Sequence, residues 1–119
     1  MIKVKRIYES PTREPGDGKR VLIDRLWPRG LRKDQVVVDE WMKDIAPSSE
    51  LRRWFGHDPV KWEEFRKRYR QELNAKEALL EELRKDARSR GLTILYSAKD
   101  QEHNNAVALK EFLSETQTQ

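Results

Sequence analysis

Apolar positions change their spacing several times along this chain, and each change marks an element. "IKVKRIY" alternates Ile2 and Val4 with Lys3 and Lys5, the period of a half-exposed strand. "ESPTREPGDGKR" is polar throughout, carries two prolines and two glycines, and reads as a loop. "RVLIDRLW" begins as a continuously apolar run, the pattern of a strand in the middle of a sheet. A basic loop, "PRGLRKDQ", leads from it to Val36, Val37 and Val38, either a short strand or an extended packing segment.

From Asp39 the period turns helical. Asp39 is expected to cap a short helix over "EWMKDIA" that Pro47 closes, and Ser48 a second over "SELRRWF" that Gly56 ends. Asp58 and Pro59 open a longer helix, which carries Trp62, Phe65, Tyr69 and Leu73 on one face. Asn74 with Glu77 predicts a capping box for the next helix, with a stripe of Leu79, Leu80, Leu83 and Ala87 and with Gly91 at C′. "LTILYS" has β-branched and aromatic residues without charge, as a buried strand does. "AKDQEHNNAVALKEFL" then predicts a turn and a final helix, capped by Asp100, with Ala106, Leu109, Phe112 and Leu113 inward. Residues 114–119 read as a frayed polar tail.

This order predicts an α/β protein, a small mostly parallel sheet of three or four strands covered by about five helices in a single domain. The competing arrangement is an all-helical protein with one hairpin. Composition narrows the picture further. The chain has 119 residues, enough for one domain and one modest core. Lys and Arg number 25 against 21 acidic residues, and the signs are interleaved, so charge balance alone does not argue for nucleic acid. There is no cysteine, which excludes disulfides, thiol nucleophiles and thiolate metal sites and fits a reducing cytosol. The first residues lack the apolar run of a secretory signal and no stretch reaches membrane-spanning length. A soluble cytoplasmic protein is the expectation.

The chemistry concentrates where strands end. If "RVLIDRLW" and "LTILYS" run parallel, "DRLWPRG" and "SAKDQEHNN" leave the same sheet edge, where open α/β sheets bind ligands. That placement would gather Arg25, Arg29 and Lys99, with Trp27, Gly30 and Ser97 around them. The turn over Asp100, His103 and Asn104 would add backbone donors at the start of the last helix, a favourable place for an anion. A small anionic ligand, phosphate- or nucleotide-like, is therefore expected, with His103 the best candidate for a proton carrier. Ser97 stands where nucleophiles often stand, but no histidine and acid are recognisably arranged to activate it. Each residue also has a structural reading. Arg25 and Arg29 could pair with Asp24, Asp34 or Glu40; Trp27 could be core; Asn104 and Asn105 could bond the "DRLWPRG" loop. His57-Asp58 reads as a helix start rather than a metal pair, and neither a metal nor a cofactor is expected. Two other functions compete: nucleic-acid binding through basic segments 29–33 and 66–70, and a structural protein whose Trp27, Trp41, Trp54 and Trp62 form a core without a pocket.

In "DRLWPRG", "APSSELRRWFGHDPVKWEEFRKRYRQEL" and "TILYSAKDQEHNNAVALKEFL" the sequence resembles the YeaO-like family of bacterial proteins, domain of unknown function 488. The resemblance runs from the first strand to the last helix. It implies a small cytosolic bacterial protein, and it makes "RLWPRG" and "SAKD…HNNA" family hallmarks without assigning them a reaction. "TILYSAKDQEHNNAVAL" is also loosely similar to the anion loop of rhodanese-like and tyrosine-phosphatase-like domains. Ser97 and His103 stand where those domains carry their cysteine and arginine, so only backbone geometry could be shared.

Overall fold

Four strands pair into one sheet with every pairing parallel: β1 (Ile2–Arg6), β2 (Lys19–Leu22), β3 (Glu40–Trp41) and β4 (Leu92–Tyr96). Their order is β1-β4-β2-β3. The structure is a computed structural model and describes residues 1–116. The uncharged run that forms β4 lies between β1 and β2 with all five residues buried, so burial on both faces explains its lack of alternation. Four α-helices accompany the sheet, α1 (Ser49–Phe55), α2 (Trp62–Leu73), α3 (Glu77–Ser89) and α4 (Asn105–Thr116), with short 3-10 turns at Lys33–Gln35, Lys43–Ile45 and Pro59–Lys61. None of the helices among the described residues is long and apolar enough to cross a membrane.

The two faces of the sheet are covered differently. Val21, Ile94 and Tyr96 point to the face where all four helices contribute to the main core, including Leu51, Phe65, Leu83 and Leu109. Leu22 and Leu95 point the other way, into a smaller cluster with Ile7 and Val36 that loops cover. Loop carbonyls without a ladder need donors from elsewhere. Arg20, on β2, supplies them: it is fully buried and donates to Ser10 O at 2.5 Å, Val37 O at 2.8 Å and Asp17 Oδ2 at 2.8 Å. Thr93 Oγ1 adds a bond to Asp17 O at 2.7 Å. Glycine permits the closest approach on this side. Gly18 has φ +62°, and a Cβ there would lie 2.2 Å from Gly91 O, so no larger residue fits.

Several expected boundaries differ. Asp39 caps no helix: its carboxylate accepts from the Arg20 amide at 2.8 Å and from Arg13 at 2.6 Å. The next two residues, Glu40 and Trp41, pair with β2 instead, because Met42 N bonds Leu22 O at 2.9 Å and Trp41 Nε1 bonds Asp24 O at 2.7 Å. The expected helix thus shrinks to the turn at Lys43–Ile45, which leaves four helices where about five were expected. Val36–Val38 is an extended packing segment, tied by Val37 N to Pro11 O. Asn74 does not start a capping box. It keeps helical angles (φ −58°, ψ −24°) at the end of α2, and Glu77 pairs with Arg84 at 2.9 Å. The expected tail is helical through Thr116; residues 117–119 lie outside the described residues. Ser48, Gly56 and Gly91 take their expected turn and capping positions, while Asp58 caps the 3-10 turn at Pro59–Lys61 that leads into α2.

Candidate functional site

Because all strands run parallel, the ends of β1, β2 and β4 meet on one edge, and a cleft of about 1020 Å³ opens there beside α1, α2 and the start of α4. Asp24 leaves β2 at its centre. Its Oδ2 accepts from the Ser97 amide at 3.0 Å and the Ser97 hydroxyl at 2.6 Å, while Oδ1 accepts from Asn105 Nδ2 at 3.0 Å. One carboxylate thereby joins the exits of β2 and β4 to the first residue of α4. Burial pushes its pKa up, and these donors with the Arg52 charge only partly offset that push.

The turn before α4 is satisfied by its own side chains. Asp100 Oδ1 accepts from the amides of Glu102 at 2.9 Å and His103 at 3.0 Å. Asn104 Oδ1 accepts from Val107 N at 3.0 Å, so the residue capping the helix proper is Asn104 and not Asp100. The expected backbone donors for an anion are therefore occupied already. Asn104 is 2% exposed and spends its amide on Asp100 O as well. His103 Nδ1 lies 2.9 Å from Asp100 Oδ2, and its ring meets Trp62 edge-on at 5.3 Å. The amide bonds of Glu102 and His103, with the His103 ring, hold Asp100 below the usual carboxylate range.

Positive charge comes from side chains. Arg25, Arg29 and Lys99 line the cleft as expected, and Arg6 and Arg52 line it too. Arg25 makes two long bonds, to the carbonyls of Pro47 and Ala46, each at 3.3 Å. Among the described residues, the Arg29 and Lys99 side chains have no hydrogen-bond or ion-pair partner. The carboxylates that could have neutralised the arginines are engaged elsewhere, Asp34 with Arg32 at 3.1 Å and Glu40 with Lys19 at 2.7 Å. Trp27 is both core and wall: its ring packs on Trp41 at 5.4 Å, its Nε1 bonds Leu31 O at 2.6 Å, and it borders the cleft. Gly30 is exposed with φ +82° and serves the turn; it does not line the cleft.

Sequence reasoning missed Arg6 and Arg52 as cleft residues, whereas Asn105 makes the bond to the "DRLWPRG" loop that was expected of it, through Asp24. Arg6 was findable, since a β1 parallel to its neighbours must end on this edge. Arg52 carried no signal, because its position depends on how α1 docks. Of the basic segments read as a possible nucleic-acid face, 66–70 is largely paired: Arg66 bonds Glu63 and Glu111, Arg68 bonds Glu64, and Arg70 bonds Glu115. The four tryptophans do not form one core. Trp27 and Trp41 pack against the loop-side cluster, Trp54 and Trp62 against the main core, and all are partly exposed. Among the described residues, no three His, Cys, Asp or Glu gather as a metal site would require.

Fold and geometry together define a small parallel α/β domain with a basic cleft at the carboxyl edge of its strands. The chain belongs to the family described as the inactive DUF488-N3 subclade, which matches residues 1–119. It is 43% identical over 112 residues to the uncharacterized protein YeaO of Escherichia coli K12, covering 94% of this chain and 96% of the relative. It is likewise 42% identical over 113 residues to the uncharacterized protein Rv3073c of Mycobacterium tuberculosis H37Rv, covering 95% and 93%. No solved structure matches it.

Proposed function

We propose that the protein binds a small anionic ligand, phosphate- or nucleotide-like, in the cleft at the carboxyl edge of its sheet. The observation that carries this reading is the charge imbalance of the lining. Arg6 is held by Glu9 at 3.5 Å, but Arg25, Arg29, Arg52 and Lys99 line the cleft with only two carboxylates, and both carboxylates have hydrogen-bond donors of their own. Guanidinium groups that lack a carboxylate suit a bidentate anion, and a concave site raises the local concentration of one. The ligand would be gripped by side chains, since Asp100, Asn104 and Asn105 already serve the amides at the start of α4. The subclade is described as inactive, in keeping with a cleft that binds its ligand and breaks no bond.

The test is a thermal-shift series with inorganic phosphate, sulfate, sugar phosphates and nucleotides, with ionic strength held constant by chloride. A ligand that binds only the folded state raises the Tm by mass action. At least one of these anions should stabilise the wild type and shift Arg29→Ala clearly less. If none stabilises it beyond chloride, the reading is wrong.

A further inference from the structure

A buried carboxylate lines the same cleft as the cations, and an anion entering there meets a negative charge. Asp24 accepts from neutral donors: the Ser97 amide at 3.0 Å, the Ser97 hydroxyl at 2.6 Å and Asn105 Nδ2 at 3.0 Å. Of the charged groups around it, Arg52 on α1 favours the ionised form. Arg25, next in the chain, turns to the Ala46 and Pro47 carbonyls. On α2, burial pushes the Tyr69 phenol up and keeps it neutral. On β1, Arg6 is held by Glu9 and by the Ser97 and Ala98 carbonyls. From β3, Trp41 bonds the Asp24 backbone carbonyl, and before α4 His103 pairs with Asp100. Arg29, His57 and Lys99 line the cleft from exposed positions. Among the described residues, no ion pair holds the Asp24 charge.

Resting on the anion reading above, we infer that the cleft takes up its anion together with a proton, which settles on Asp24 and reverses the hydrogen bond between Asp24 and Ser97. With Asp24 ionised, the Ser97 hydroxyl gives its proton to Oδ2 and turns only lone pairs to the cleft, which repel an anion. With a solvent proton on Oδ2, the carboxyl O–H donates to Ser97 Oγ, and the hydroxyl proton is free to donate to the ligand. The other two bonds survive, because Oδ2 still accepts from the Ser97 amide and Oδ1 from Asn105. One proton thus exchanges a repulsive wall for a donor without moving a heavy atom. Burial already favours the neutral acid, so protonation is easier here than at an exposed aspartate. The bound anion and the proton strengthen each other by the same factor, whichever arrives first.

Isothermal titration of sulfate at fixed ionic strength, at several pH values between about 5 and 8 and in buffers of unlike ionisation enthalpy, counts the protons taken up. Sulfate carries none of its own in that range. The wild type should take up more protons per sulfate than Asp24→Asn. Its affinity should also rise more steeply as pH falls, by up to about tenfold per pH unit for a full proton. His57 and His103 are common to both proteins, so whatever they contribute cancels in the difference. Ser97→Ala, an independent variant, should weaken sulfate severalfold at the lowest pH, where the hydroxyl donates to the anion, and change it little at the highest. Melting curves at each pH confirm that the variants are folded. If wild type and Asp24→Asn take up equal protons, the coupling is wrong and the anion reading stands. If Ser97→Ala weakens sulfate equally at every pH, the reversed bond is wrong. If sulfate binds at no pH, the inference falls, and the thermal-shift series decides the anion reading by itself.

Discussion

Arg20 and Arg25 sit five positions apart on one strand and its exit, yet the protein treats them in opposite ways. Arg20 is completely buried, and its bonds to Asp17, Ser10 and Val37 are all 2.8 Å or shorter. Arg25 is half-buried at the cleft, has no carboxylate partner among the described residues, and touches two carbonyls at 3.3 Å. The same contrast holds for two aspartates. Asp17 is buried among cations and sits below the usual range: burial pushes it up, but Lys5, the Glu14 amide and Arg20 pull harder. Asp24 is bound mainly by neutral donors and is pushed up by burial. The loop-covered face of the sheet has spent its charges on holding loops, and at the carboxyl edge Arg25, Arg29 and Lys99 are left without a carboxylate partner among the described residues. A charged residue near a strand end is therefore a candidate for binding only when its neighbours have left it unneutralised.

The comparison breaks most severely at Arg20. Arg20→Met keeps an unbranched apolar stem but removes every side-chain donor, leaving Asp17 with one cation fewer and two loop carbonyls without a partner. Breaking a buried pair in this way costs about 3–5 kcal/mol, a large share of the about 5–15 kcal/mol of a typical domain. Urea unfolding should show a much lower midpoint. A midpoint within error of wild type would mean that the loops are held by something other than Arg20.

Next in size is the opposite pH behaviour of the two aspartates. The folded pKa of Asp17 is depressed, so its stabilisation is present above the unfolded value near 4 and fades as pH falls toward the folded value. The folded pKa of Asp24 is raised, so its contribution is complete below that unfolded value and fades as pH rises through the folded one. Asp17→Asn should thus cost most near neutrality and less in acid. Asp24→Asn should cost most in acid and less near neutrality. Urea midpoints for both variants at several pH values between 3 and 7 check this, and parallel slopes would dissolve the distinction. At the cleft, Asp24→Ala strips the partner from the Ser97 amide and should cost about 1–3 kcal/mol.

Much of this fold was legible because local pattern and tertiary burial agree in it. The uncharged LTILYS could only be a central strand, and Trp62, Phe65, Tyr69 and Leu73 could only share a helix face. Failures came where a long-range bond outranked a local signal. Asp39 has the composition of a helix cap, but the buried amide of Arg20, 19 positions away, claimed its carboxylate. Asn74 and Glu77 have the spacing of a capping box, yet the short α2–α3 turn kept Asn74 helical. The gathering of Arg25, Arg29 and Lys99 on one edge followed from the parallel sheet alone. Arg20 escaped notice because nothing in "GKRVLI" distinguishes a buried arginine from a strand-edge one. Its partners come from Ser10, Asp17 and Val37, which a parallel sheet with one loop-covered face brings together.

The smallest effect on stability is expected at Arg29, and that makes it the sharpest probe. Arg25→Ala removes two long bonds to backbone carbonyls and should cost about 1 kcal/mol, so any loss of binding in that variant is mixed with some loss of order. Arg29 is exposed, its guanidinium has no partner among the described residues, and the bond that shapes its loop is made by its backbone carbonyl to Tyr8. Arg29→Ala should therefore leave the unfolding free energy within about 0.5 kcal/mol of wild type. If the carboxyl edge has kept its charges for an anion, this nearly silent substitution should still weaken phosphate binding severalfold in titration, and the weakening should shrink as salt is raised. A variant that loses stability but no affinity would make Arg29 a second Arg20, and would place both ends of the strand on the structural side of the comparison.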